Sequence, residues 1–299
     1  MQHTTLSKEQ FSVLSAIEHA GRVQNSGDPI KLAQLSEEKF SEIANELATL
    51  GLMADGQITE AGYAALEPYR VKRAVFIAAG FGSRLVPITL NTPKPLVRVN
   101  GTRMIDTLLN AVVAAGIEEI YVVRGYLGEQ FDQLLYKYPN IRFIENTLYN
   151  QANNISSAYL ARDVLANAYV FEADLVLYNP SLIRRYQYTS NYLGVPVKES
   201  DDWVLVTDEN GRVIKLGVGG TDCFHLYGVS YWTEADGTRL KEDLVKVFEQ
   251  PDGKQLYWDQ VPLDRYIDNY HVEVRSCTFD DIIEIDSFAD LKKLDEAYR

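Results

Sequence analysis

The sequence predicts an α/β protein with a mixed, mostly parallel sheet, preceded by a small helical domain. Three observations indicate this fold class. Strand-like and helical segments alternate from residue 71 onward, helical periodicity dominates before it, and 299 residues suit one large domain with a small companion. The turn-forming sequence Glu-Pro-Tyr-Arg at 67–70 marks the change, so we predict domains at residues 1–70 and 71–299.

The N-terminal region predicts helices followed by a tight β-hairpin. Ser7 lies three residues before Gln10, which is the spacing of a capping box at the start of a helix. A short helical segment follows, and Ser36 caps a longer one. Asp55-Gly56 then predicts a two-residue turn between short strands. This order resembles a winged helix-turn-helix domain.

The charge of this region argues against DNA recognition. Residues 1–70 hold five basic and ten acidic side chains. The segment at the position of a recognition helix, EEKFSEIANEL, is acidic where a DNA-reading helix is basic. The net charge of −13 for the whole chain also disfavours nucleic acid as a partner. We therefore expect a docking or dimerising role, and a homodimer through this domain is one such role.

The composition predicts a cytoplasmic protein that is not inserted in a membrane. No apolar run approaches the roughly 18 to 20 residues that span a bilayer, and the N-terminus lacks the pattern of a signal peptide. Cys223 and Cys277 show no C-x-x-C spacing, and the four histidines are scattered. Neither a disulfide framework nor a structural zinc site is expected.

From residue 71 onward, short apolar strands alternate with helices. The predicted strands are 74–77, 120–123, 141–144 and 168–171, and the predicted helices are 105–115 and 129–136. A further hairpin is predicted at 208–211. Because ligands of such sheets bind at the carboxyl ends of the strands, residues that follow strands are the candidate site residues.

The most informative segment follows the first of these strands and reads AAGFGSRL at 78–85. It lacks the third glycine of a dinucleotide fingerprint and the Gly-Lys-Ser/Thr of a Walker loop. Gly80 and Gly82 allow backbone amides to approach a phosphate closely, and Arg84 adds a cationic fork. Lys94 follows ten residues after Arg84, within Asn-Thr-Pro-Lys-Pro-Leu.

Together these segments resemble the sugar-phosphate and phosphocholine nucleotidyltransferases. The fingerprint of that family is A-A-G-x-G-[ST]-R-L-x-P-x-T, followed by P-K. Later segments are similar to the bacterial CTP:phosphocholine cytidylyltransferases: VVRGYLGEQF (122–131), YNQANNISSAYLA (149–161), DWVLV (202–206), LYWDQ (256–260) and IIEIDSFADLKKLDE (282–296). The resemblance covers about residues 72–297. It departs from the family pattern at Pro95 and at GTRMID (101–106).

The resemblance implies a Rossmann-like nucleotidyltransferase domain and a Mg²⁺-dependent reaction. CMP would pass from CTP to phosphocholine, or to a close relative such as phosphoethanolamine or an aminophosphonate, with release of pyrophosphate. The implied catalytic residues are Lys94 at the phosphates, Arg84 on the pyrophosphate, and Asp174 and Asp286 on Mg²⁺. Asp174 follows a predicted strand, which suits a metal ligand at the carboxyl edge of the sheet. Asp286 precedes a predicted helix, so simple helix capping is its alternative role.

The resemblance also implies two groups of binding residues. Those for the nucleotide are Ala78, Ala79, Gly80, Gly82, Ser83, Arg84, Gly125, Tyr126, Asn153, Asn154 and Ser156. Those for the acceptor are Trp203, Tyr257, Trp258 and Asp259. A quaternary ammonium is recognised by aromatic faces and carboxylate, which this second group supplies. The alternatives are a polar turn for the amide residues and ordinary core packing for the aromatic residues.

Two other functions stay open at this point. One is a sugar-1-phosphate nucleotidyltransferase, which the Tyr-Trp-Asp run at 257–259 disfavours. The other is a winged-helix regulator whose second domain senses a nucleotide or choline metabolite. The joint presence of the four candidate catalytic residues disfavours the regulator. The acceptor, the pathway, the oligomeric state and the number of metal ions are left open.

Overall fold

The computed structural model describes residues 5–22 and 27–299, which divide into two compact units. The first unit comprises the described residues up to Val71 together with Ile183–Tyr188. The second comprises Lys72–Leu182 and Thr189–Arg299. A short piece of chain inside the C-terminal part therefore belongs to the first unit, which a single boundary after residue 70 does not anticipate.

The first unit begins with helices whose ends are capped as predicted. The Gln10 amide donates to Ser7 Oγ at 3.2 Å, and the Ser7 amide donates to Gln10 Oε1 at 3.0 Å. Asp55 and Gly56 have positive φ angles of 49° and 74° and join two antiparallel strands, which confirms the predicted hairpin. The elements are α1 (Lys8–Arg22), α2 (Pro29–Ala33), α3 (Glu37–Thr49), β1 (Met53–Ala54), β2 (Gln57–Ile58) and α4 (Glu60–Leu66).

The core of the first unit forms where its helices meet. Leu14, Leu47 and Leu66 come from three different helices and are fully buried. The segment Ile183–Tyr188 adds aromatic side chains, and the ring of Tyr188 stacks on that of Tyr69 with centroids 5.3 Å apart. The assignment of this unit to the winged helix-turn-helix domains stays a prediction.

The second unit is built on a seven-stranded sheet with the strand order β12-β10-β11-β8-β3-β6-β7. Its elements are β3 (Arg73–Ala78), β4 (Arg98–Val99), β5 (Thr102–Arg103), α5 (Met104–Ala114), β6 (Glu119–Arg124), β7 (Ile141–Glu145), α6 (Ile155–Ala161), β8 (Ala168–Glu172), β9 (Leu175–Leu177), β10 (Ser190–Thr207), β11 (Val213–Trp232), α7 (Glu234–Phe248), β12 (Val272–Ser276), β13 (Ile282–Glu284) and α8 (Phe288–Leu294). Among the described residues, no helix combines the length and apolar character needed to cross a membrane.

The sheet is mixed and mostly parallel, as predicted. β3 pairs parallel with β6 and β8, β6 pairs parallel with β7, and β10 pairs parallel with β12. β11 runs antiparallel to both β8 and β10. The β3 strand is buried along almost its whole length, which is typical of a central parallel strand covered on both faces. The carboxyl ends of β3, β6, β7 and β8 therefore share one edge.

The predicted helix at 129–136 is wrong in type, because Gly128–Tyr136 forms a 3₁₀ helix. The buried residues Phe131 and Leu134 are three apart, which matches the three residues per turn of that helix. The predicted hairpin at 208–211 is confirmed. Asp208 Oδ1 accepts hydrogen bonds from the following backbone, and Gly211 has a φ of 81°.

Candidate active site

A cavity of about 430 Å³ opens where β3 and β8 end, at the edge of the sheet expected to bind ligands. The predicted site residues that line it are Ala78, Ala79, Gly80, Gly82, Ser83, Arg84, Lys94, Asn153, Asn154, Ser156, Asp174, Trp203, Tyr257, Asp259 and Asp286. Gly125, Tyr126 and Trp258 do not line it. Residues predicted separately for phosphate, metal and acceptor thus surround one space.

The glycine loop positions Lys94 in the cavity wall. Gly82 has a φ of +62°, and a Cβ there would lie 2.9 Å from Cβ of Lys94 and 3.1 Å from Cγ2 of Thr89. The Thr89 hydroxyl donates to the Gly82 carbonyl oxygen at 2.8 Å. Glycine is therefore required by the left-handed backbone and by the close passage of the lysine. Lys94 itself is only 8% exposed.

Strand pairing brings the two predicted metal ligands together. β9 begins directly after Asp174 and pairs antiparallel with β13, which ends two residues before Asp286. The Ile285 amide donates to the carbonyl oxygen of Asp174 at 3.1 Å. One carboxylate oxygen from each of Asp174, Glu284 and Asp286 lies within 4.8 Å of the other two. We call these three residues the carboxylate cluster.

The carboxylate cluster fits a divalent cation. In the part of the chain that the structure describes, Oδ1 of Asp174 and Oδ1 of Asp286 are buried and accept no hydrogen bond. A buried acceptor without a partner is costly, so Asp174 Oδ1 in particular favours a ligand. Hard divalent cations prefer carboxylate oxygens, and the cluster supplies them from a short distance.

Lys94 and Arg84 partly balance the negative charge of the cluster. Lys94 Nζ lies 2.9 Å from Asp174 Oδ2 and 3.6 Å from Asp286 Oδ1. Burial lowers the pKa of Lys94, but the hydrogen bond to Asp174 and the charges of Asp174, Asp286 and Glu284 together outweigh it, so the pKa of the lysine is raised. Arg84 Nη2 lies 2.7 Å from Asp286 Oδ1 without hydrogen-bond geometry. The arginine side chain is 67% exposed, so this ion pair is weak and the guanidinium is available to a phosphate.

Glu172 adds another carboxyl group to the cavity, and both Glu172 and Glu284 have raised pKa values. Burial raises the pKa of Glu284 well above its ordinary value, and the charges of Asp174 and Asp286 raise it further. Burial also raises the pKa of Glu172, with Asp259 as the next contributor. A cation that enters the cavity favours the ionised forms of these groups, so cation binding should release protons.

Hydrogen bonds hold the polar side chains predicted to face the nucleotide. Asn146 Nδ2 donates to Ser156 Oγ at 3.0 Å, at the start of α6. Asn154 Nδ2 donates to Glu172 Oε1 at 3.0 Å, and Asn154 Oδ1 accepts from the Trp258 amide at 2.9 Å. Asn154 therefore connects the start of α6 with β8 and with the segment predicted to bind the acceptor.

Gly125 and Tyr126 support residues of the cavity wall instead of lining it. A Cβ on Gly125 would lie 2.9 Å from the ring of Tyr149, so the glycine lets Tyr149, which does line the cavity, pack against the backbone. The Tyr126 amide donates to the Ala79 carbonyl oxygen at 3.1 Å. Its hydroxyl donates to the Thr89 carbonyl oxygen at 2.9 Å. Tyr126 thereby holds the start of the glycine loop and Thr89, whose hydroxyl donates to Gly82.

Trp203, Tyr257 and Asp259 line the part of the cavity predicted for the acceptor. The two rings meet edge to face with centroids 5.6 Å apart. Asp259 is buried and accepts a hydrogen bond from the hydroxyl of Tyr192. Burial raises the pKa of Asp259 to about 6, although this hydrogen bond acts in the opposite direction. An aromatic surface beside a buried carboxylate suits an organic cation.

Trp258 belongs to the core, so its predicted place among the acceptor residues is wrong. Its side chain is 1% exposed and stacks on Tyr192 with ring centroids 6.2 Å apart. It also meets Trp232 edge to face at 5.9 Å. Tyr257 and Asp259 face the cavity, and the residue between them turns into the protein.

Tyr149, Glu172 and Glu284 are among the cavity-lining residues that were not predicted from the sequence. Two of them carry a signal, because Glu172 lies two residues before Asp174 and Glu284 lies two residues before Asp286. Side chains two apart in an extended segment point to the same side. Tyr149 carries no comparable signal, since its place depends on tertiary packing.

One family model and several known proteins resemble the chain. The family model described as Nucleotidyl transferase matches residues 73–214. The 2-aminoethylphosphonate cytidylyltransferase of Lancefieldella rimae is 40% identical over 75% of this chain and 92% of that protein. The choline-phosphate cytidylyltransferase of Haemophilus influenzae is 34% identical over 73% of this chain and 93% of that protein. The chain belongs to the nucleotidyltransferase family.

A solved structure supports the assignment of the chain to the nucleotidyltransferase family. The CTP:phosphocholine cytidylyltransferase of Streptococcus pneumoniae superposes with a TM-score of 0.71 at 35% identity. The match covers 77% of this chain and 100% of that one. The predicted resemblance to the bacterial CTP:phosphocholine cytidylyltransferase family and the predicted α/β fold are confirmed, and the enzyme is a cytidylyltransferase.

Proposed function

We propose that this cytidylyltransferase transfers CMP from CTP to phosphocholine or a close amino-alcohol phosphate or aminophosphonate, with Mg²⁺ bound and pyrophosphate released. The observation that supports the proposal is the set of side chains that line one cavity. It combines a buried lysine and a carboxylate cluster with an aromatic pair and a buried Asp259. The named acceptors of the relatives, 2-aminoethylphosphonate and choline phosphate, share a phosphorus group and an organic cation.

The reaction is an in-line attack by an acceptor phosphate oxygen on the α-phosphorus of CTP. The new P–O bond forms as the bond between the α-phosphorus and the bridging oxygen breaks, and pyrophosphate leaves with that electron pair. A phosphomonoester has a second pKa near 6, so the nucleophile is already largely ionised at neutral pH. The main obstacle is bringing two anions together, which positioning and charge neutralisation overcome.

Different residues of the chain position the two substrates and neutralise their charge. The backbone amides of the loop at 78–83 hold the phosphates, Lys94 neutralises charge at the reacting phosphates, and Arg84 holds the departing pyrophosphate. The carboxylate cluster would hold Mg²⁺, which supplies further neutralisation of phosphate charge when bound. The side-chain amides of Asn153 and Asn154 each make two hydrogen bonds within the chain, which leaves one N–H and one lone pair of each for cytosine.

The acceptor's organic cation would lie beside Trp203, Tyr257 and Asp259. An aromatic face attracts a cation through its quadrupole, and the carboxylate adds direct charge attraction. A sugar phosphate has no positive charge for these groups to bind. The cavity therefore favours an amino compound over a sugar 1-phosphate.

Pyrophosphate release tests the proposal. CTP, UTP, dTTP and ATP are each paired with phosphocholine, phosphoethanolamine, 2-aminoethylphosphonate and glucose 1-phosphate in the presence of Mg²⁺. We expect turnover with CTP and an amino acceptor only. Turnover confined to glucose 1-phosphate would replace the acceptor proposal with the sugar-phosphate alternative. No turnover with any pair would favour a sensing role.

A further inference from the structure

We propose that the acceptor of this enzyme carries a primary ammonium group, which Glu172 and Asp259 bind through hydrogen bonds. The inference rests on the proposed function and specifies that the acceptor nitrogen carries no methyl group. Phosphocholine has three N-methyl groups and no N–H, whereas a primary ammonium has three N–H donors.

Only two of the three aromatic residues predicted to bind the acceptor line the cavity, which leaves less aromatic surface for a quaternary-ammonium cage. Trp258, the third predicted aromatic residue, is buried in the core. The two remaining rings, Trp203 and Tyr257, meet edge to face at 5.6 Å, so one ring covers part of the face of the other. A quaternary ammonium depends on open aromatic faces, because it cannot donate an N–H hydrogen bond.

The same part of the cavity offers acceptor atoms that a quaternary ammonium cannot use. Glu172 Oε1 accepts from Asn154, and Asp259 Oδ1 accepts from Tyr192. Within residues 5–22 and 27–299, the second oxygen of each carboxylate accepts no hydrogen bond from another residue, and neither carboxylate has a cationic side chain within 4.0 Å. Two carboxyl groups thus line the cavity, each with one oxygen that no other residue uses.

One amide holds these two carboxylates in place. Asn154 Nδ2 donates to Glu172. Asn154 Oδ1 accepts from the backbone amide of Trp258, the residue before Asp259. Gly228 leaves room for the glutamate, since a Cβ there would lie 2.6 Å from Glu172 Cγ. The pair is therefore positioned before the acceptor arrives, as a specific binding site requires.

The chemistry of the pair predicts how the enzyme ranks acceptors. A primary ammonium can donate to both unused oxygens and still have one N–H beside the aromatic pair. Each N-methyl group removes one donor and adds volume, and the third leaves both carboxylates unpaired. Sites built around substrate hydrogen bonds discriminate strongly against analogues that lack the donor.

An N-methylation series tests this ranking with the full-length enzyme. The acceptors are phosphoethanolamine and its N-methyl, N,N-dimethyl and N,N,N-trimethyl forms, and the matching series from 2-aminoethylphosphonate, with CTP throughout. We expect kcat/KM to fall with each methyl group, by about 100-fold in total. A flat or rising series would overturn the primary-ammonium inference and leave the proposed function intact. No turnover with either series would overturn both.

A pair of variants separates hydrogen bonding from a merely structural role. Asp259→Asn keeps the shape but removes the charge, and Asp264→Asn is the matched control on an exposed residue of the same segment. We expect the ratio of kcat/KM for primary over quaternary acceptors to fall about tenfold in Asp259→Asn. The ratio in Asp264→Asn and the KM for CTP in both variants should stay unchanged. An unchanged ratio in Asp259→Asn would remove Asp259 from the proposal.

Discussion

Lys94 Nζ lies 2.9 Å from Asp174 Oδ2, although 80 positions separate the two residues in the sequence. The lysine comes from the loop after β3, and the aspartate follows β8. These strands are parallel neighbours with Ala74 opposite Tyr169, so their carboxyl ends coincide. The register of the sheet therefore sets the position of the cation relative to the carboxylate cluster.

Replacement of Lys94 by Ala should lower kcat about 100-fold to 1000-fold, because a fixed charge at the reacting phosphates is lost. The variant should also lose about 1 to 3 kcal/mol of stability without metal, since the mostly buried carboxylate of Asp174 loses its hydrogen-bonded cation. Mg²⁺ should restore part of that stability. Pyrophosphate release and thermal unfolding with and without Mg²⁺ measure both effects. The control is Lys72→Ala, a change on an exposed residue. Native turnover in Lys94→Ala would contradict the role of Lys94 at the reacting phosphates.

Replacement of Glu284 by Gln should weaken metal binding, because Glu284 contributes one of the three carboxylates in the cluster. The Mg²⁺ concentration for half-maximal turnover should rise about tenfold or more, and a chelator should abolish turnover in both proteins. Glu199→Gln, on an exposed part of β10, should behave as the unaltered enzyme. Equal Mg²⁺ requirements in the two variants would exclude Glu284 as a ligand.

The residues proposed for phosphate and metal binding were predicted from the family resemblance, and the position of Asp174 after a strand supported its part of that prediction. The loop at 78–85 is continuous, and the carboxyl ends of β3 and β8 must share an edge in a parallel arrangement. Asp174 therefore reaches the cavity whatever the details of packing. The spacing of two residues between Glu172 and Asp174 is a further signal in the sequence, and it indicates that Glu172 also lies near the cavity.

The orientation of neighbouring aromatic side chains could not be predicted from the sequence. Tyr257 and Trp258 are adjacent in sequence, yet one lines the cavity and the other is buried in the core. They lie between a 3₁₀ turn and a π-helical segment, where neither helical nor strand periodicity fixes the direction of a side chain. The place of Ile183–Tyr188 in the first unit likewise depends on contacts between distant parts of the sequence.

Replacement of Gly82 by Ala should reduce both stability and turnover. The residue has a φ of +62°, and its new Cβ would lie 2.9 Å from the Cβ of Lys94. We expect a loss of about 1 kcal/mol or more from the backbone alone, and further loss from displacement of the lysine. Gly80→Ala is the matched control for folding, because a Cβ there meets nothing within 4 Å. Equal thermal unfolding of the two variants would contradict this account.

Acceptor use should fall as the pH drops through about 6, because burial raises the pKa of Asp259 to that value. The ionised carboxylate attracts the acceptor's ammonium, and protonation below pH 6 removes the attraction. The acceptor phosphate also titrates near pH 6. Below pH 6 the slope of log kcat/KM against pH should therefore be steeper by about one in the unaltered enzyme than in Asp259→Asn. Identical slopes would show that the aspartate does not govern acceptor binding.

The segment Ile183–Tyr188 is joined to the first unit by backbone and aromatic contacts. The Val71 amide donates to the Arg185 carbonyl oxygen at 2.9 Å. The hydroxyls of Tyr69 and Tyr188 both donate to the Leu6 carbonyl oxygen, at 3.4 and 3.3 Å. The first unit therefore needs this segment to complete its fold.

Replacement of Tyr188 by Ala should destabilise the first unit by about 2 kcal/mol, because it removes a ring that packs on Phe11 and Tyr69. Amide hydrogen exchange along α1 should become correspondingly faster. Tyr136→Ala is the control, since that side chain is 96% exposed. If α1 exchanges at the same rate in both variants, the residues up to Val71 hold their structure without the aromatic contact from the segment.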